Sequence, residues 1–276
     1  MYQKFRYLNT DIHIYIQEDN EYPRLLQHNE LYPLSWLRDE KGNKPKAVIN
    51  CSYFANKYVC GRNQGDLKND THDQDGYYDL VLLNGNKYAL DKFRSWDYQT
   101  NPDVLAGFSV GAVLIEDGYK VEWVSRAIAD DSKIYSKNPQ TALAILEDGT
   151  HIFIVTDGRT TANKGVNGIE LREFVTSQFT NVKLLVLLDG GGSSELIVDS
   201  KIMNAISSER RMYNGLAFIQ KQTEFGYVEE EVVIYPNVQE LKQKVQELEQ
   251  KVIYLEDLKK TLLKELEDLL KLIKEV

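Results

Sequence analysis

The chain is poor in the residues that build covalent or metal frameworks. Of its 276 residues only two are cysteine, Cys51 and Cys60. Two thiols cannot make a disulfide framework, and their spacing is not the CxxC of zinc or redox sites. Reduced thiols are expected, with a bridge across a tight hairpin left open for a protein that ends up outside the cell. The four histidines, His13, His28, His72 and His151, show no HExxH or HxH pairing, so lone core or surface histidines are expected rather than a histidine metal site. Basic residues are also in deficit. With 33 Lys and Arg against 42 Asp and Glu, the formal charge is -9, and no basic stripe exists for a nucleic-acid backbone. Any phosphate is therefore bound locally. No run of about 18 apolar residues is present, which excludes a membrane-spanning helix. The opening MYQKFRYLNTDIHIYIQ lacks the basic, apolar, small-residue order of a signal peptide, so synthesis in the cytoplasm is expected.

What is present is apolar content of 42%, with 11% aromatics, enough for one large domain and an appendage. Residues 1–235 read as short β-rich segments. FRYLNTDIHIYIQ alternates as a strand, and KPKAVINCSYF, YYDLVLLN, AVLIEDG, TALAILEDGTHIFIVTDGR and RMYNGLAFIQK read as further strands, with EDG at 116–118 and 147–149 marking hairpin turns. One helix is expected over Gly168–Phe179, where Ile169, Leu171, Phe174, Val175 and Phe179 fall mostly on one face. The fold class is α+β: a β-rich, mixed-sheet body with few helices, followed by a C-terminal coiled coil.

The pattern changes near Pro236. From Val238 the apolar positions alternate at spacings of three and four through Leu241, Val245, Leu248, Val252 and Leu255, then Leu262, Leu266, Leu269, Ile273 and Val276. Glycine and proline are absent here, and 8 lysines nearly balance 9 acids. Without turn residues the seam cannot fold back on itself, so residues 236–276 are expected to be an oligomerising stalk. Valine at early a positions favours a dimer. Leu266 and a second stripe at Ile253, Leu258, Leu263 and Leu270 admit a trimer.

The richest stretch chemically is Leu184–Glu195, LLVLLDGGGSSE. Five apolar residues suit a strand covered on both faces. Asp189 then stands at the strand's end, and Gly190, Gly191 and Gly192 allow positive φ, so that successive amides converge as an anion cradle beside a carboxylate. The alternative is an ordinary glycine turn with a turn aspartate. Ser193 and Ser194 add hydroxyls, but no GxSxG elbow or histidine partner supports a serine nucleophile.

Six segments together resemble the phosphodiester glycosidase family. They are INCSYF (49–54), GFSVGAVLIEDG (107–118), NPQTALAILEDGTHIFIVTDGR (138–159), GIELREFV (168–175), LLDGGGSSELIV (187–198) and ERRMYNGLAF (209–218), in the family's order across most of residues 45–220. Animal members of that family uncover mannose 6-phosphate by removing N-acetylglucosamine from a sugar phosphodiester. The resemblance implies a site at Asp189, with Arg210 matching the arginine of the closing motif. Two positions depart from the family's pattern: Cys51 where a small residue usually follows the asparagine, and Val166 where a serine is usual. Thr160 and Thr161 nearby could replace the lost hydroxyl.

Cleaving a sugar from a phosphate calls for a carboxylate near the anomeric carbon, as nucleophile or as base for water. Asp189 is the first candidate and Asp157, in TDGR, the second; their separation would distinguish retention from inversion. Phosphate recognition suits arginine, so Arg159 and Arg210 are expected to bind substrate, with Gly190, Gly191, Gly192, Ser193 and Ser194; Arg211 is the less favoured neighbour. Asn50 fits a sugar hydroxyl. No metal or cofactor is expected, although hard oxygen ligands leave a divalent cation open; the nearest calcium-like stretch, Asn69–Asp79, matches no ligand template. The expected function is hydrolysis of a sugar 1-phosphodiester in a bacterial surface polymer, such as teichoic acid or capsule, by a virion-associated phage tail or baseplate component. A non-catalytic glycan-binding or structural tail module is the rival, and a cytoplasmic enzyme acting on nucleotide-linked sugars is a third reading.

Overall fold

The computed structural model describes residues 1–38, 42–51, 61–63, 66–68, 78–85, 87–91, 103–121, 132–206, 210–220 and 259. The chain divides into two units, Met1–Gln222 and Thr223–Val276. The expected coiled coil apart from Lys259, together with Cys60, His72 and most of the acidic stretch 69–79, lies outside the described residues.

The first unit is built on a seven-stranded sheet in the spatial order Tyr2–Tyr7, Thr10–Ile16, His151–Thr156, Thr141–Leu146, Val182–Leu187, Ala112–Glu116 and Tyr119–Lys120. A five-stranded sheet runs Lys201–Ile202, Leu196–Val198, Ala47–Asn50, Arg211–Gln220 and Glu21–Pro33. A three-stranded sheet of Lys87–Asp91, Tyr78–Leu83 and Val104–Val110 joins the same core. Every described pairing is antiparallel, which corrects the mixed sheet expected from sequence. The expectation rested on strands that are apolar throughout, as parallel strands are. Here the cause is layering. In Val182–Leu187, Leu184 and Val186 face the core shared with the other sheets, while Leu185 and Leu187 face the layer that carries the helix Gly168–Gln178.

Between the two large sheets Phe153 and Phe218 stack with ring centroids 3.9 Å apart. The helix starts at a capping box: Asn167 accepts from the Glu170 N–H at 2.8 Å, and Glu170 accepts from the Asn167 N–H at 3.0 Å. Its end at Gln178 is within one residue of the expected span. Glycine-marked hairpins form at both EDG sites, with Gly118 at φ 82° and Gly149 at φ 85°. The opening segment is two strands, not one. Leu8 and Asn9 turn at φ 45° and 58°, the doubly positive φ of a tight hairpin, in a leucine that carries no turn signal. Among the described residues no helix is long and apolar enough to cross a membrane.

Candidate functional site

The strand Val182–Leu187 leaves the seven-stranded sheet at Leu188, whose N–H donates to Thr141 O at 2.8 Å. One residue later the chain has reached the other sheet, where Asp189 N–H donates to Cys51 O at 3.0 Å. Gly190 to Ser194 make the crossing, and Leu196–Val198 then pairs with Ala47–Asn50. The glycine turn is therefore the seam between the two sheets, and Asp189, only 7% exposed, stands at its start.

Asn50 holds the seam closed. Its side-chain carbonyl accepts from Thr141 Oγ1 at 2.8 Å and from Glu195 N–H at 3.1 Å, while its amide donates to Asp189 O. Wholly buried, it has one N–H left for any other partner. The side chain expected to hold a sugar hydroxyl thus first brackets both ends of the turn. Asn204 reinforces the exit by donating to Ser194 O at 2.9 Å and accepting from Leu196 N–H at 2.7 Å.

The three glycines act differently from one another. Only Gly191 is left-handed, at φ 70°, and its N–H donates to Pro139 O at 2.8 Å, so it does not join an anion cradle. Gly190 is extended and backs onto Pro139 and Gln140. What the missing side chains admit is arginine. A methyl group on Gly191 would lie 2.8 Å from Arg159 Nη2, and one on Gly192 would lie 2.9 Å from Arg210 Nε. Two guanidinium groups from distant segments thus lie against consecutive glycines. Arg159, itself at φ 58°, also donates to Asn138 Oδ1 at 3.2 Å. Arg211 begins the strand Arg211–Gln220 opposite Pro33 and is exposed.

Ser193 and Ser194 are 0% and 3% exposed, yet their hydroxyls have no hydrogen-bond partner among the described residues. Leaving a buried hydroxyl unsatisfied costs about 1–3 kcal/mol, so both are open to a hydrogen bond from substrate or water.

Asp157 is held from inside the fold. It is 3% exposed; Oδ1 accepts from Ala205 N–H at 2.8 Å and Oδ2 from Asn163 Nδ2 at 3.1 Å. His13 Nε2 lies 3.3 Å from Oδ1 without hydrogen-bond alignment. Each oxygen thus holds one internal hydrogen bond, which fixes the carboxylate of Asp157 in place. Thr160 Oγ1 is likewise taken up inside its own loop, accepting from Asn163 N–H at 2.9 Å. Glu195, 6% exposed and within the motif Leu184–Glu195, is the buried carboxylate that motif reading passed over. Its place in the motif was the available signal. Among the described residues no group of three His, Cys, Asp or Glu is placed to hold a metal ion.

The family model for phosphodiester glycosidase matches residues 43–219. In structure the chain is similar to the catalytic domain of zebrafish N-acetylglucosamine-1-phosphodiester alpha-N-acetylglucosaminidase, auto-inhibited by its pro-peptide, with TM-score 0.62 and 15% identity over 79% of this chain and 81% of that chain. It is also similar to a hypothetical protein from Synechocystis, with TM-score 0.60 and 10% identity over 79% of this chain and 61% of that chain. These likenesses concern the fold. In sequence it is 36% identical over 72 residues to the SPbeta prophage-derived uncharacterized protein YomE of Bacillus subtilis (strain 168), a stretch that is 26% of this chain and 11% of that protein. The glycine seam, the two arginines upon it and the family match enclosing all of them lead to one assignment: the chain belongs to the phosphodiester glycosidase family.

Proposed function

We propose that the chain is a hydrolase that cleaves a sugar from a sugar 1-phosphodiester. The observation that carries this reading is the approach of Arg159 and Arg210 to Gly191 and Gly192, beside the buried Asp189 and the two partnerless serine hydroxyls. Planar guanidinium forks match phosphate oxygens, and glycine lets them and the substrate come close to the backbone. The phosphate leaves readily once its charge is held, so acid assistance matters less than in ordinary glycosides. Asp189 supplies the carboxylate at the anomeric carbon, as nucleophile or as base for water, with Asp157 as the second carboxylate. Asp189→Asn is expected to abolish release of sugar from an α-linked sugar 1-phosphodiester, and unaltered turnover rejects the assignment.

The substrate we propose is a surface polymer with phosphodiester-linked sugars, such as teichoic acid or capsule, met by a phage tail or baseplate protein. The stretch similar to a prophage-derived protein and the heptads after Pro236, which would present several copies together, support this context. Activity against a panel of polymers of defined linkage tests it. The internal engagement of Asp157 favours a second reading, a glycan-binding or structural tail module that keeps the fold. Binding of polymer without cleavage by the unaltered protein would establish that reading instead.

A further inference from the structure

The N-terminal hairpin, strands Tyr2–Tyr7 and Thr10–Ile16, lies outside the family match and yet grips one loop of the candidate site. That loop, 157–165, carries Arg159. Asp157 N–H donates to Asp11 O at 2.9 Å, Lys164 N–H to Asn9 O at 3.3 Å, and Thr10 Oγ1 to Gly165 O at 3.1 Å. Arg6 extends its guanidinium across the loop, donating to Asn163 Oδ1 at 2.5 Å and to Ala162 O at 2.6 Å, while Asp11 N–H donates to the same Asn163 Oδ1 at 2.9 Å. Asn163 passes the restraint on by donating to Asp157 Oδ2 at 3.1 Å. Asp157 also accepts from Ala205, in the segment that leads to Arg210.

Beneath this layer His13 sits between Tyr2, whose hydroxyl is 2.8 Å from Nδ1, and Asp157. The loop so held contains a strained residue: Arg159 is a non-glycine at φ 58°. Such a conformation persists only where its surroundings over-determine it. The hairpin provides those surroundings, and the strained residue is the one whose side chain lies on Gly191.

We infer that the N-terminal hairpin is a positioning element of the site, with Arg6 and Asn163 as the pair through which it holds Arg159 against the glycine turn. The inference rests on the reading of Arg159 as a phosphate ligand. Arg6 acts through the loop and touches no substrate. Because its side chain is 50% exposed, Arg6→Ala removes the grip with little loss of core packing. Arg6→Lys keeps the charge beside Asp11 but cannot span Asn163 and Ala162 together.

Two readouts are needed on the full chain. The first is amide hydrogen exchange, which requires no ligand. Amides of residues 158–165 in the Arg6→Ala protein are expected to exchange roughly tenfold faster, the scale of a lost charge-assisted hydrogen bond. Those of Val182–Leu187 should not change. Lys120→Ala, which breaks an exposed ion pair with Glu173, is the control and should leave residues 158–165 unchanged. The second is calorimetric affinity for inorganic phosphate in a cycle of Arg6→Ala, Arg159→Ala and the double variant. Arg6→Ala should weaken binding several-fold when Arg159 is present and not at all when it is absent, with Arg6→Lys failing to restore it. Unchanged exchange in the loop overturns the grip, whatever the ligand. Faster exchange with equal, additive losses in both backgrounds overturns positioning through Arg159. If Arg159→Ala alone leaves phosphate affinity intact, the ligand reading of Arg159 fails, and the positioning role falls with it.

Discussion

Replacing Gly192 by alanine separates the arginine contact from the fold more cleanly than replacing the arginine does. Gly192 is outside the left-handed region, so alanine introduces no backbone strain. Its Cβ would lie 2.9 Å from Arg210 Nε and 3.0 Å from Cζ and Nη2. Ordinary carbon contacts begin near ~3.5 Å, so the guanidinium must retreat by roughly 0.5 Å or more. Arg210 is exposed, so whatever contact its guanidinium gives up in retreating lies at the surface and not in the core. The fold should therefore lose under about 1 kcal/mol, a shift of roughly 2–4 °C in Tm for a domain of this size. Binding should suffer far more. A hydrogen bond to a charged group contributes about 1.5–3 kcal/mol, which at 1.4 kcal/mol per tenfold predicts phosphate affinity lower by roughly 10- to 150-fold. Titration calorimetry with inorganic phosphate at low ionic strength, alongside thermal unfolding, measures both quantities. Arg210→Ala should cause a similar loss, and the double variant no further loss. Affinity within about twofold of the unaltered protein would refute the reasoning, because a displaced Arg210 would then be shown not to face the ligand. A fall in Tm well beyond about 4 °C would show instead that the glycine serves packing.

Ser193→Ala and Ser194→Ala should move stability and binding in opposite directions: removing a buried hydroxyl without a partner leaves Tm equal or higher, while calorimetry shows weaker phosphate or substrate binding. Asn50→Ala, by contrast, removes three hydrogen bonds at the sheet seam and should cost about 3 kcal/mol or more in urea unfolding, with activity lost alongside. Stability should also depend on pH through His151, whose pKa burial lowers to about 4. The unfolded chain, titrating near ~6.5, binds more protons between these values, so stability is full above about pH 6.5 and falls by about 2–3 kcal/mol as pH drops toward 4. His151→Gln should flatten that part of the urea profile; an unchanged slope would place the acid sensitivity elsewhere.

Local chemistry explains what was legible in the sequence. Period-two alternation, a 3.6-residue apolar stripe and glycine at positive φ are properties of neighbouring residues, so the strands, the helix from Gly168 and both EDG turns could be read directly. The turn at Leu8 and Asn9 could not, because leucine carries no left-handed preference and only pairing of the two strands stabilises it there. A similar turn at Asp199 and Ser200 formed without glycine. Strand direction was equally hidden, since apolar residues record that both faces are covered and not which way the neighbours run.

At the site the division is the same. The order of motifs and the run Leu184–Glu195 determined that a glycine seam follows a buried strand, and which polar residues stand near it in the chain. Only the tertiary structure decided what each residue touches. Arg159 and Arg210 come to consecutive glycines because two sheets meet at the turn, and Asn50 commits three hydrogen bonds to closing that junction. Asp157 looked equivalent to Asp189 in sequence, each ending an apolar strand. Asn163 and the Ala205 N–H bond the carboxylate of Asp157, whereas Asp189 opens the turn on which the arginines lie. A carboxylate's role depends on the groups within about 4–6 Å of it, and those come from segments far away in the chain.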